Sequence, residues 1–286
     1  MVIRNFRRSF VGIVLLAVHL VALSASANLE VVLGGVPLQQ NANLSGIMPS
    51  STQSEILISR NQYVLSYNRT RRAPNWAAWK IEAKQLGHSA RSNSFSRDGE
   101  LDNYLKDSGP GPLAVEPKDY EGSCFDRGHQ VPSADRTDDS EDNRATFMMS
   151  NMVPQTSYLN RDIWEHLEQY TRNLVKSGKK VYVIAGPIYD QDFGAIGPLK
   201  DIPVPSHEFK IILVLEAGQT AKDISQNTSV VAVMMPNVTP NGNSPADHAS
   251  LCAAPSHSSG GVEDWKQFQT TVPQIEQASG LKFSIH

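Results

Sequence analysis

Four consecutive residues, Asp126-Arg127-Gly128-His129, set an acid, a guanidinium, a glycine and an imidazole side by side. Burying unpaired charge is costly, so the segment reads as a polar site on a tightly shaped backbone and not as a core strand. A neutral imidazole can take a proton near pH 7, which makes His129 a candidate general base. A histidine in an exposed loop is more often a bystander, so its partners decide. Asn160 lies 31 residues downstream, Glu168 eight positions further on, and Arg172 four beyond that. On a regular helix Asn160 and Glu168 would sit about 12 Å apart along the axis and about 80° apart around it, so both do not easily ligate one ion. Asn160 as the main protein ligand, with Glu168 reaching a metal-bound water, is the sparse oxygen site that magnesium accepts. The bland alternative, Asn160 as no more than the N-cap of its helix, stays open on these residues alone.

The element carrying Asn160 is the clearest in the chain, because Leu159, Ile163, Leu167, Tyr170 and Leu174 recur at three- and four-residue steps. Upstream, Ile56 to Asn68 and Trp76 to Ala83 read as two strands of a hairpin joined by the basic turn Arg69 to Pro74. His88 to Glu121 lacks periodicity and reads as a long functional loop. Lys179 to Gly186, Glu208 to Glu216 and Ser229 to Pro236 are Val- and Ile-rich strands. A polar loop runs from Pro240 to Gly261, and Asp264 to Leu281 reads as helical around an interruption at Pro273. Trp76, Trp79, Trp164 and Trp265 are read as core before they are read as base-stacking platforms. His166, His207, His248 and His257 have no partner at metal-ligand spacing and are assigned no role.

The 286 residues are 40% hydrophobic and 19% charged, an ordinary globular composition. Residues 1–27 read as a signal peptide: Arg4, Arg7 and Arg8 precede an apolar run from Phe10 to Leu23, and Ala25-Ser26-Ala27 suits a signal peptidase. The apolar run is shorter than the roughly 20 residues that cross a bilayer, so cleavage after Ala27 is expected. Residues 28–54 read as a mobile lead-in and 55–286 as one catalytic domain. Losing three of the 26 Lys+Arg and none of the 29 Asp+Glu takes the net charge from -3 to -6. That argues against a module holding nucleic acid by a broad basic face. Cys124 and Cys252 are the only cysteines; a disulfide and two buried thiols are about equally expected. Asn43, Asn68, Asn227 and Asn237 begin glycosylation sequons.

Several segments, in order, resemble the DNA/RNA non-specific endonucleases of the ββα-metal class. They are NWAAWKI (Asn75 to Ile81), the segment around Arg91, DRGHQVP (Asp126 to Pro132), SNMVPQTSYLNRDIWEHLE (Ser150 to Glu168), VIAGPIY (Val183 to Tyr189), VPSHEFKII (Val204 to Ile212) and VPQIEQASGL (Val272 to Leu281). The resemblance implies an α+β fold, a mostly antiparallel central sheet flanked by helices, with a ββα-metal active-site motif. It implies His129 as general base, Asn160 as magnesium ligand and Glu168 as a partner of the metal's water shell, with manganese a candidate substitute ion. It places Arg91 at the scissile phosphate, with Arg97 as a nearby alternative, and Arg172 and Arg127 as supporting cations. Asn151 and Gln155 fall on positions that organise the site, and Asp126 is a further supporting candidate.

The implied activity is an exported endonuclease that cuts DNA and RNA with little sequence preference and leaves 5′-phosphate ends. A homodimer and an inhibitor protein are further candidate partners. Two rivals from other classes are an exported binding protein that has lost catalysis and a phosphodiesterase acting on a non-nucleic-acid ester. The presence together of His129, Asn160 and Glu168 speaks against the first; only substrate separates the second.

Overall fold

The computed structural model of the chain describes residues 46–49, 55–254 and 261–283. The expected signal peptide and Asn43 lie outside the described residues. Strands β1 (Gly46–Pro49), β2 (Glu55–Ser59), β3 (Val64–Asn68) and β4 (Ala73–Ile81) open the fold as an antiparallel meander. β1 falls inside the stretch read as a lead-in and pairs with β2. The segment read as one strand, Ile56 to Asn68, is two strands: the chain reverses at Arg60, whose N–H donates to the Tyr63 carbonyl.

The stretch read as a structureless loop contains helix α1 (Gly99–Asp107), which starts where the Asp98 carboxylate accepts the Leu101 N–H. Two short strands follow, β5 (Asp126–His129) and β6 (Met152–Gln155), paired antiparallel and separated by the six-residue helix α2 (Ser140–Ala145). After β6 the chain enters a wide helical turn, Leu159–Ile163, continuous with α3 (Trp164–Lys176). Strand β7 (Lys180–Ile188), the small ribbon β8 (Ala195–Ile196) with β9 (Ile202–Pro203), and strands β10 (His207–Leu215) and β11 (Ser229–Pro236) complete the sheets. Helix α4 (His248–Ala253) lies within the expected Pro240 to Gly261 loop. Pro273 does not interrupt the last helix: it occupies the first turn of α5 (Val272–Ser279), where a missing N–H costs nothing.

Among the described residues the main sheet has seven strands in the order β1-β2-β3-β4-β7-β10-β11, antiparallel throughout. Both faces are covered. Side chains alternate across a strand, so Trp79, Ala77, Val183, Ala185 and Ile212 pack with Leu167 and Trp164 of α3. Trp76, Ile184, Phe209 and Ile211 pack on the other side with Ile275 of α5. All four tryptophans are buried, as expected of core residues. A smaller cluster with Met149, Met152, Tyr120 and Ile202 underlies the β5–β6 pair. Asn237, one of the sequon asparagines, is fully buried: its Nδ2 donates to the Pro154 and Pro205 carbonyls and its Oδ1 accepts the Thr156 N–H.

Cys124 and Cys252 form a disulfide that ties the approach to β5 to α4 across 128 residues of sequence. Closing so long a loop restricts the unfolded chain, so the double change Cys124→Ser/Cys252→Ser is expected to lower unfolding stability by about 2–4 kcal/mol in a denaturant titration.

Candidate active site

The pairing of β5 with β6 explains how three ionisable residues can share a short strand. Alternation sends Arg127 and His129 to one face and Asp126 and Gly128 to the other. On the first face the His129 ring meets Phe147 edge to face at 4.9 Å and Phe95 at 5.6 Å. The Arg127 guanidinium lies 4.1 Å over Phe95 and that of Arg91 lies 4.9 Å over Phe147. His129 is therefore not on an exposed loop: it is a strand residue, 7% exposed, and its Nε2 makes no hydrogen bond within the protein. Burial first, then the charges of Arg91 and Arg127, pushes its pKa down to about 3. The imidazole is neutral throughout the neutral pH range, the state a proton acceptor needs.

On the second face Asp126 accepts from Asn160 Nδ2 at 2.9 Å and from Arg161 Nε and Nη2 at 2.8 and 2.6 Å. An ionised carboxylate only accepts hydrogen bonds, so it fixes the asparagine with its nitrogen inward. The amide oxygen is then the atom offered to a ligand. Asn160 is not the helix cap. Thr156 has that place, taking the Leu159 N–H on its hydroxyl and the Asn160 N–H on its carbonyl.

The wide turn after Asn160 also alters the expected helix geometry. The Trp164 N–H reaches back five residues to the Leu159 carbonyl, so one residue is absorbed without the usual advance. Eight residues then rotate like seven, and the separation of Asn160 and Glu168 around the axis falls from about 80° to about 20°. By this count the two residues share one helical face, one bringing an amide oxygen and the other a carboxylate. That donor set fits a hard, water-retaining divalent ion better than a thiolate- or imidazole-binding one.

Behind this face lies a buried network of charges. Glu168 sits 3.6 Å from Lys210 and 3.7 Å from Arg172, and burial raises its pKa while those two cations oppose the rise. Arg172 also pairs with Asp135 at 3.3 Å, and Asp135 accepts the Trp79 indole N–H. Lys210, 1% exposed, rests 3.9 Å over the Trp164 ring, and burial lowers its pKa. Asn151 is a clamp inside the protein: it accepts the Val131 N–H and donates to the Val131 and Thr146 carbonyls. The Gln155 side chain crosses Gly128, where any Cβ would overlap it, and its amide donates to Glu208. A side chain at 128 would have to push the Gln155 amide end aside.

Arg91 and Arg97 have different fates. Arg91 reaches Ser133 at 2.7 Å and Asn93 at 2.8 Å, and its charge is coupled to both His129 and Glu168. Arg97 is consumed by ion pairs with Asp102 and Glu116, off the site. Thus the structure gathers Arg91, Arg127 and His129 around the two phenylalanines, and Asp126 and Asn160 across the strand from them. Glu168 and Arg172 lie on the helix behind. Asn160 and His129 share no hydrogen bond; β5 itself connects them.

Sequence reading missed Arg161, Phe95, Phe147, Asp135, Lys210 and Glu208. The last two carried a signal: HEFKIILVL puts two charges at alternate positions of an otherwise apolar strand, so both must face the same side.

The family model for DNA/RNA non-specific endonucleases matches residues 40–285. A nuclease of Nostoc sp. is 37% identical over 268 residues, covering 92% of this chain and 83% of its own. Human mitochondrial endonuclease G is 30% identical over 239 residues, 79% of this chain and 69% of its own. A solved endonuclease G in complex with its inhibitor superposes with a TM-score of 0.59 at 25% identity, covering 84% of this chain and 86% of that one.

Two outcomes test the geometry. In the unfolded chain His129 titrates near 6.5 and in the folded protein near 3, so below pH 6.5 the unfolded state binds the extra proton first. Stability present above pH 6.5 is lost as pH falls towards 3, by up to about 1.4 kcal/mol per pH unit. Chemical denaturation between pH 7 and pH 4 should show His129→Gln with the shallower decline. Gly128→Ala should cost about 1–3 kcal/mol through overpacking against Gln155, measured in the same way.

Proposed function

The chain belongs to the DNA/RNA non-specific endonuclease family and is a nucleic-acid hydrolase, and on that premise we propose a one-metal, magnesium-dependent cleavage of DNA and RNA centred on His129 and Asn160. The observation that carries this reading is that β5 brings together a buried neutral imidazole flanked by two guanidinium groups and, three residues before it, the Asp126 carboxylate that orients the Asn160 amide.

A phosphodiester is anionic and repels an anionic nucleophile, so hydrolysis calls for a nucleophile generated in place and cations to absorb added charge. His129 takes a proton from water as the water oxygen attacks phosphorus. The bond to the 3′ oxygen breaks, leaving a 5′-phosphate on one product, and the 3′ oxygen takes a proton from a second water to become the hydroxyl of the other. Arg91 holds the non-bridging oxygens through its fork of donors, with Arg127 beside it. The Asn160 amide oxygen, with Glu168 as partner of the ion's water, would hold magnesium, which when bound would supply charge stabilisation for the leaving oxygen. Asp126 holds Asn160 in register, Arg172 steadies Glu168, and Asn151 and Gln155 shape the hairpin. Contacts of this kind are to phosphates, which carry no sequence information, so the reading includes weak sequence preference and binding that falls as salt rises.

Export belongs to the same proposal. The basic and apolar character of residues 1–27 supports it, as does the Cys124–Cys252 disulfide, a bond that persists in oxidising compartments. Among the described residues no helix is long and apolar enough to cross a membrane.

Purified protein lacking residues 1–27, with plasmid DNA and with RNA, is expected to cleave both in magnesium and neither in EDTA. His129→Ala and Asn160→Ala are each expected to lower kcat by at least about 100-fold. Cleavage that survives EDTA or either change would overturn the mechanism, and DNA binding without cleavage by the parental protein would favour a binding module. Arg91→Ala is expected to reduce turnover at least about tenfold more than Arg97→Ala; the reverse order would move the phosphate-binding role to Arg97.

A further inference from the structure

Strand β10 is buried on both sides, and such strands are ordinarily apolar. Glu208 breaks that pattern at its centre. It is 0% exposed, paired in register with Pro187 of β7 and Met235 of β11, and has no cation within ion-pair distance among the described residues. A carboxyl so placed is a net cost to folding unless its hydrogen bonds are made. Among the described residues its bonds are made to two residues only. Oε2 accepts from Gln130 Nε2 at 2.7 Å and from Gln155 Nε2 at 2.8 Å.

Those two glutamines bracket the candidate base. Gln130 directly follows His129, and its N–H donates to the Asn151 carbonyl at the end of the hairpin. Gln155 stands opposite Asp126 in β6 and lies across Gly128, the residue before His129. A single oxygen of the central sheet therefore grips both strands of the hairpin, on either side of the imidazole.

We infer that Glu208 is a positioning residue of the nuclease, which aims His129 by holding the Gln130 and Gln155 side chains from the central sheet. The inference rests on the proposed role of His129. The form of the carboxyl follows from its surroundings. Oε1 of Glu208, Gln130 Oε1 and Gln155 Oε1 are three buried acceptors with no protein donor, a pattern that favours a carboxyl carrying its own proton. Burial, the largest influence, pushes the pKa up to about 8; the Gln130 and Gln155 amides and the charge of Lys210 oppose the rise, and Glu168 adds to it. The buried hydroxyls of Tyr120 and Tyr189 also face this charge.

The test compares Glu208→Met, which keeps the volume and removes the acceptor, with Glu208→Gln, which keeps an acceptor oxygen and a fixed neutral charge. With magnesium and plasmid DNA, Glu208→Met is expected to lose kcat by at least about tenfold with KM within about twofold, the mark of a displaced base. Glu208→Gln is expected within about threefold of the parental kcat. The ring signals of His129, followed by NMR with labelled histidine, should move in Glu208→Met and stay in Glu208→Gln. Parental kcat and unmoved ring signals in Glu208→Met would overturn the inference. So would a loss in Glu208→Gln as deep as in Glu208→Met. Should Glu208→Met fail to fold, moved His129 ring signals or a kcat loss of about tenfold or more in Glu208→Gln would overturn it. A parental protein that cuts neither DNA nor RNA would defeat the nuclease mechanism, while the ring signals would still judge the positioning.

Discussion

The antiparallel pairing of Asp126–His129 with Met152–Gln155 is the constraint on which the rest of the site depends. A strand can present opposite chemistry on its two faces with no change in backbone, because successive side chains alternate. This four-residue strand uses that property fully. Its arginine and histidine turn to a wall of two phenylalanines, and its aspartate turns to the helix that follows β6. Gly128, lacking a side chain, lets Gln155 lie flat against the strand. Without that closeness the hairpin could not be gripped from the sheet behind it.

A second constraint comes from burying so many charged groups together. Glu168, Arg172, Asp135 and Lys210 form one network between α3, β10 and the turn after β5. Each group alone would be strongly destabilising, and each is tolerable because a neighbour compensates it. The shifts follow from this arrangement: burial drives Glu168 and Glu208 up and Lys210 and His129 down, and nearby charges modify the result. At His129 burial comes first, and the nearby charges of Arg91 and Arg127 add to it in keeping the ring neutral.

Much of this was legible in the chain. The three- and four-residue spacing from Leu159 to Leu174 marked the helix, and the Val- and Ile-rich runs marked β7, β10 and β11, because burial on a regular element leaves a periodic record. Other elements left weaker traces. α1 is short and largely polar, so its nine residues showed no sustained stripe, though Asp98 before Gly99 was a usable cap signal. The Arg60 to Tyr63 reversal was hidden because the strands on both sides of it are apolar. Pro273 was misread as a break when it marks a start, a distinction set by its place one residue after the capped turn begins.

At the site, residue types announced themselves and geometry did not. His129, Asn160, Glu168 and Arg91 could be picked out by chemistry and by resemblance, since a base, a hard oxygen ligand and a phosphate-binding cation are limited to few side chains. That inventory follows from residue type, as the longer elements follow from their periodicity. The placement of DRGH as a half-buried strand, the residue absorbed in the wide turn after Asn160, and the reach of Glu208 to Gln130 and Gln155, 78 and 53 residues away, all depend on contacts in space. The physical reason is that burial and hydrogen-bond partnership are properties of neighbours in space. A carboxyl in β10 carries no local mark of which amides it will meet, and a helix carries no local mark of where one residue will be absorbed.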